Sequence, residues 1–272
     1  MTFSIVARSG TAFGVAVASK FLAVGAVVPA AGAGAGALAT QAWANLAYGP
    51  QGLALLRTGV PADRVVAGLT AADPEAAHRQ LGVVGPEGVA ATFTGSECLD
   101  WAGGVAGEGY AIQGNVLVGP EVVRDMEAVW LATAELPFTE RLLAALAAGD
   151  AAGGDRRGRQ SAALYAVDPG AGYGGLSDVA CDLRVDDHAD PVGELRRLLT
   201  VHELLFGTPD PASLLDLDGE LATEVAGHLG VLGYDSLDRW AGVENLEGRL
   251  VAGRIDPVVL TRLREAATAP TA

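Results

Sequence analysis

Between Lys20 and Arg57 the chain carries no charge, and from Phe21 to Ala39 every residue is apolar, glycine or proline. Such a run has to be buried, either in a bilayer or in a protein core. A membrane-spanning helix needs about 20 strongly apolar residues. Here the large side chains gather only at Phe21–Val28, and Pro29 with Gly25, Gly32, Gly34 and Gly36 interrupts the run repeatedly. A secretory signal fits no better, because its apolar region follows a basic stretch, whereas Arg8 stands alone and Lys20 splits the candidate. The run reads as buried strands joined by Gly-rich turns. No membrane and a cytoplasmic location are expected.

Composition narrows the class. The 272 residues, 50% of them hydrophobic, suffice for one large domain, or a large and a small one, around a sizeable core. A net charge of −15 excludes a general nucleic-acid partner, which needs a basic footprint to neutralise phosphates. Cys98 and Cys181 are too few for a disulfide scaffold and have no metal-ligating companions at short spacing, so both read as free thiols. The 37 glycines include no P-loop or dinucleotide-binding motif, and no cofactor is expected.

Strand signals open the chain. Thr2–Arg8 alternates polar and apolar residues at its start, and Ser9-Gly10 turns it into Phe13–Ser19. Leu22–Val28 and Gly36–Gln41 read as the third and fourth strands. Helices are expected at Pro50–Arg57 and Pro61–Ala71, then strands at Leu81–Val84, Val89–Phe93 and Tyr110–Val116. Helical spacing returns over Glu121–Ala134 and Phe138–Ala148, followed by strands at Gln160–Val167 and Cys181–Val185 and an amphipathic helix over Pro191–Phe206. This order suits an α+β fold with two antiparallel sheets between helical layers. Phe206–Pro211 is the linker, so residues 1–206 form the large domain and 207–272 a small helical one. In the tail, Leu214–Leu232 is helical, Ser236–Trp240 caps and opens a second helix, and Asp256-Pro257 starts a third, over Ile255–Ala266.

Thr2 is the most informative position for chemistry. Methionine followed by a small residue is trimmed in the bacterial cytoplasm, which would expose the Thr2 α-amine. With a pKa near 8, such an amine accepts the proton of its own hydroxyl, so one residue is both nucleophile and base. Lys20, the only lysine in the chain, follows Ser19 at a strand end and could tune that amine or bind an anionic group. In Tyr110–Asn115, Gln113 and Asn115 flank a glycine, an arrangement suited to an oxyanion hole or to a turn. Gln41 and Asn45 sit in an otherwise apolar stretch, as satisfied core or as cleft lining. Arg157, within GGDRRGRQSA, could clamp a carboxylate or sit in a solvated loop, and Ser161 could face the nucleophile from its strand start. Asp186-Asp187-His188 lacks a second histidine at ligand spacing and reads as a polar turn, so no metal is expected.

The runs FSIVAR, GVAVASKFLAVGAVVP, GALATQAWAN with YGPQGLALL, WAGG with YAIQGN, GGDRRGRQSAAL and DLRVDDH resemble the uncharacterised family known as domain of unknown function 1028, over residues 2–206. That family is assigned to the N-terminal-nucleophile (Ntn) hydrolase superfamily. The resemblance implies a four-layer αββα sandwich, with the first residue of the mature chain as nucleophile. The tail, with LGVLGYDSLDRWAGVENLEGR and IDPVVLTRLRE, is similar to a peptidoglycan-binding-like segment that ends some members. One departure matters: proteasome-like relatives place a lysine in a later strand, where this chain reads GAGAGALATQ.

The sequence therefore predicts an amidohydrolase acting on a small-molecule amide. Thr2 is its nucleophile, Lys20 tunes charge, Gln113 or Asn115 holds the oxyanion, and Ser19, Gln41, Asn45, Arg157 and Ser161 line the substrate site. A homo-oligomer, such as a dimer, is expected. The alternative is a non-catalytic binding protein on the same fold, its ligand held by the cleft or the tail.

Overall fold

The N-terminal alternation folds into a hairpin. Strands β1 (Thr2–Ser9) and β2 (Ala12–Ser19) pair antiparallel, with Phe3 opposite Ala18 and Ser9 opposite Ala12. Gly10 takes φ 58° in the turn, a conformation that costs residues with a Cβ more. The computed structural model describes residues 2–269. They form two units, divided between Leu199 and Thr200.

In the first unit the hairpin is the centre of a six-stranded sheet with β7 (Gly103–Gly107), β8 (Tyr110–Asn115), β9 (Ser161–Val167) and β10 (Val179–Val185). The strand order is β10-β9-β2-β1-β8-β7, and every pair is antiparallel. A second antiparallel sheet runs β3 (Pro29–Gly32), β4 (Gly36–Ala42), β5 (Arg79–Val84), β6 (Ala90–Thr94). The helices are α1 (Tyr48–Arg57), α2 (Ala62–Ala71), α3 (Glu121–Ala132), α4 (Phe138–Ala151) and the first part of α5 (Pro191–Phe206), within which the division after Leu199 falls.

Period-two alternation sends β1 side chains to two different cores. Phe3 and Ile5 pack with Val122, Met126 and Trp130 of α3 and Leu142 and Leu146 of α4. Val6 faces the other way and joins Val15 and Val17 of β2, Ala37 and Ala39 of β4, and Val84 of β5 between the sheets. On the far side of the four-stranded sheet, Leu38, Leu81 and Val83 pack on Tyr48 and Leu56 of α1 and on Val65 and Leu69 of α2. Much of the charge-free run is thus buried in a protein core, Val24, Val28, Ala37, Leu38 and Ala39 among it, whereas Phe21 and Leu22 at its start are exposed. Among the described residues, no helix is long and apolar enough to cross a membrane.

Three expectations need correcting. Leu22–Val28 is no strand but a loop with a 3-10 turn at Val24–Ala26. Ala23 enters the left-handed region at φ 52°, and the Ser161 hydroxyl accepts from the Val24 N–H and donates to the Phe21 carbonyl, fixing the loop outside the ladder. Strands β3 and β7 were not expected, because a few small residues at a sheet edge carry no readable periodicity. In the second unit helix α6 (Gly219–Leu232) starts later than Leu214, since Leu215–Asp216 forms a short strand, β11, paired with β12 (Arg254–Ile255).

The second unit is completed by α7 (Leu237–Val243) and α8 (Pro257–Thr268). Their starts have the expected chemistry: Ser236 accepts from the Arg239 N–H, and Asp256 accepts from the Val258 N–H ahead of Pro257. Val225, Leu229, Trp240, Leu260 and Leu263 form its own core. Beside that core the Arg249 guanidinium pairs with Asp256 at 2.7 Å and donates to the carbonyls of Glu203 and Leu204.

Candidate functional site

The layer between the two sheets changes character along its length. On each central strand the residues facing it are apolar at one end and polar at the other: Val6, then Ser4 and Thr2, on β1; Val15 and Val17, then Ser19, on β2. The same change runs from Ala37 and Ala39 to Gln41 on β4, and from Ala111 to Gln113 and Asn115 on β8. On β5 it runs from Val84 through Gly82 to Gln80. All these polar residues are buried, Thr2 at 4% exposure. Buried polar groups must find partners or cost free energy, and here they find one another.

Thr2 Oγ1 lies 3.1 Å from Ser19 Oγ. The Ser4 hydroxyl donates to Gln41 Oε1 at 2.7 Å and accepts from Gln113 Nε2 at 2.7 Å. Gln41 Nε2 donates to Gln80 Oε1 at 2.8 Å and lies 3.3 Å from the Thr2 carbonyl oxygen. Gln80 is the hub: its Oε1 also accepts from Asn115 Nδ2 at 2.8 Å, and its Nε2 donates to the Gly114 carbonyl at 2.7 Å and to Thr94 Oγ1 at 2.9 Å. Asn115 stands opposite Thr2 in the β1–β8 register. Four carboxamides and four hydroxyls from six strands therefore gather around the start of β1.

The backbone leaves this layer under strain. Ala42, directly after Gln41, has φ 67°, and Val116, directly after Asn115, has φ 53°. Left-handed backbone is a true outlier for a β-branched residue. Strain of about 1–3 kcal/mol per residue persists only where surrounding structure imposes it, and it clusters at functional sites.

The other residues expected at the site sit around this network. Ser19 is in it. Gln113 is too, but its amide nitrogen reaches the Ser4 hydroxyl and the Ser4 carbonyl, and it is fully buried, so it props the network from within. Lys20 is exposed: its backbone N–H goes to Asp155 at 2.8 Å and its ammonium to the Arg159 carbonyl at 3.2 Å. Arg157 folds back on Asp155 at 2.8 Å. Asp155 and Ser19 help line a cavity of about 10 Å³, room for one water. Ser161 ties down the Phe21–Val24 loop.

Asn45 belongs to a second cluster. Its Nδ2 donates to Asp73 at 2.9 Å, and the same carboxylate accepts from Tyr48 OH at 3.0 Å and from Arg79 Nε at 2.9 Å. The Arg79 and Asn45 hydrogen bonds hold the Asp73 carboxyl well below the usual carboxylate range. Burial, followed by the Asp73 bond, pushes the Tyr48 phenol up to about 12. Burial also pushes the Cys98 thiol up, away from nucleophilic use. His188 Nδ1 accepts from the Asp190 N–H within its turn. Among the described residues, no three His, Cys, Asp or Glu side chains are placed to share a metal ion.

Gln80 and Gly82 are the members that sequence reasoning missed, along with the supporting role of Ser4, which the sequence offers only as a rival nucleophile exposed by further processing. Ser4 and Gln80 occupy polar positions of alternating strands, a readable signal whose meaning depends on the opposite sheet. Gly82 carries no signal of its own, yet a Cβ there would stand 2.0 Å from Gln113 Oε1.

A mixed α/β protein with antiparallel sheets and a buried polar focus at one end of its sheet interface is thereby defined. Residues 2–195 match the family described as "Family of unknown function (DUF1028)", and the chain belongs to that family. Residues 205–263 match the family described as "Putative peptidoglycan binding domain". The chain is similar to a solved structure, the crystal structure of protein SPO2555 from Silicibacter pomeroyi, itself assigned to DUF1028. It is 32% identical with a TM-score of 0.67, over 82% of this chain and 92% of that one. No curated protein matches the chain.

Proposed function

We propose that the first unit is an N-terminal-nucleophile hydrolase that cleaves a carbon–nitrogen amide bond, with Thr2 as nucleophile once Met1 is removed. Met1 lies outside the described residues. The observation that carries the reading is Thr2 itself: buried, first on a central strand, its hydroxyl 3.1 Å from Ser19 and its carbonyl oxygen 3.3 Å from Gln41 Nε2. Such restraint is what a preorganised nucleophile requires. The succession of helices, two sheets and helices supports assignment to the αββα sandwich of that superfamily.

In the proposed reaction the Thr2 oxygen attacks the amide carbonyl carbon while its proton passes to the Thr2 α-amine. Asn115, opposite Thr2, and nearby backbone N–H groups stabilise the oxyanion. Collapse breaks the C–N bond, and the proton returns to the leaving amine. Water then adds to the Thr2 ester, releasing a carboxylic acid and regenerating the hydroxyl. Lys20 supplies positive charge at the rim. Treatment with a β-lactone probe, which acylates such a nucleophile, followed by peptide mass spectrometry, tests this. A Met1-free N-terminal peptide labelled on Thr2, with no label in Thr2→Ala, is expected. Retention of Met1, or undiminished labelling of Thr2→Ala, would refute it.

A second reading is favoured by the match over residues 205–263: the second unit docks the protein on a glycan or peptide ligand, whatever the first unit does.

A further inference from the structure

The strongest feature that this function does not absorb is an apolar rim at the Thr2 end. Phe21 and Leu22 follow the end of β2, Trp43 and Leu46 follow β4, and Val118 follows β8. Leu99 joins them, because its carbonyl accepts the Val116 N–H. All six are exposed, Trp43 at 75%. A scatter of exposed apolar residues is ordinary, but a concentration around one strand end is not.

Trp43 stands out because its backbone is fixed while its ring is free to be covered. It lies two residues after Gln41, beyond the left-handed Ala42. Its N–H donates to the His78 carbonyl at 3.2 Å, and its carbonyl accepts from Arg79 Nη1 at 2.5 Å. Arg79 and Asp73 are a buried ion pair, 2.9 Å apart, whose remaining capacity goes to Asn45 and Tyr48 of the same loop and helix. Burying two charges is costly in itself. Here the pair orders the segment that presents Trp43. A rigid exposed aromatic of this kind loses little entropy when something packs against it.

We infer that Trp43 is a specificity residue of the Thr2 site, and that the substrate carries an extended apolar group beside its scissile amide. The inference rests on the proposed function for the identity of the bond. It commits to a substrate rather than a second protein because Trp43 is continuous with the site: Gln41, two residues back, contacts Thr2, and Gln80, next to Arg79, orders both Gln41 and Asn115.

The test uses the full chain carrying Thr2→Ala, so that no probe is consumed. Three amides are compared: N-methyloctanamide and N-octylacetamide, which carry one octyl-length chain on either side of the amide, and N-methylacetamide, which has none. Binding is measured by isothermal titration calorimetry in every variant; where Trp43 is present it is also read from tryptophan emission and iodide quenching, against the Trp43→Ala chain as the background from half-buried Trp101 and from buried Trp130 and Trp240. At least one long amide is expected to bind about tenfold or more tighter than N-methylacetamide, shifting emission to the blue and shielding Trp43. In Thr2→Ala/Trp43→Ala that preference should fall to about threefold or less, with far-UV circular dichroism unchanged, while Trp43→Phe retains most of it. Equal binding of all three amides, or undiminished preference without Trp43, overturns the inference. So does a concentration-dependent dimer that already shields Trp43 before any amide is added. Because binding is measured without hydrolysis, a failed Thr2 labelling experiment and a failed binding experiment remain separate results.

Discussion

Ser4 bridges two carboxamides. Its hydroxyl donates to Gln41 and accepts from Gln113, and both carboxamides are buried. Gln113 Oε1 already has no hydrogen-bond partner and faces the bare Cα of Gly82. Ser4→Ala therefore leaves a second buried acceptor and a donor without their strongest partners, and is expected to cost about 1–3 kcal/mol, read from urea denaturation. An unchanged midpoint would mean that the network re-pairs without it. Gly82 belongs to the same device, since any side chain there would displace the Gln113 amide. Ser4 was legible as the polar beat of an alternating strand. That it supports Gln41 and Gln113 depends on residues 37 and 109 positions away.

At the scale of elements, helix α3 is tied to β8 through Tyr110, whose hydroxyl donates to Glu127 at 2.7 Å and whose ring lies tilted against that of Trp130. Burial, followed by the Glu127 bond, pushes the Tyr110 phenol up to about 12. The unfolded value is about 10. A raised folded value means that the stabilisation is complete below about pH 10 and is lost as pH rises through about 12. Tyr110→Phe should flatten part of the alkaline limb of a pH–stability curve, leaving the share due to Tyr48, which shifts the same way. An unaltered limb would deny Tyr110 that role. Most elements could be read because their signals are local: proline before α2 and α4, alternation in β1, the stripe of α5. The Leu22–Val28 loop was misread because its apolar run looks like a strand, whereas the distant Ser161 hydroxyl and Asp186 carbonyl hold it otherwise.

Over the whole molecule, three apolar layers stabilise the first unit and a separate cluster stabilises the second. Leu263 lies fully buried in that separate cluster. Leu263→Ala should cost the second unit about 2–5 kcal/mol through lost burial and the cavity left behind. Hydrogen exchange would then quicken in α6 and α8 while β1 and β8 stay protected. Equal loss of protection in β1 would show that the two cores unfold as one.

The sequence by itself determined what is short-range or compositional: where chain must be buried, which stretches alternate, where helices start, and that Thr2 opens a strand. Only the tertiary structure decided what those strands face. A strand's own alternation says which side chains share a side, while the chemistry of that side is set by the strand or helix packed across from it. That is why the carboxamides could be suspected one at a time, but their assembly around Thr2 on the hub of Gln80 could not.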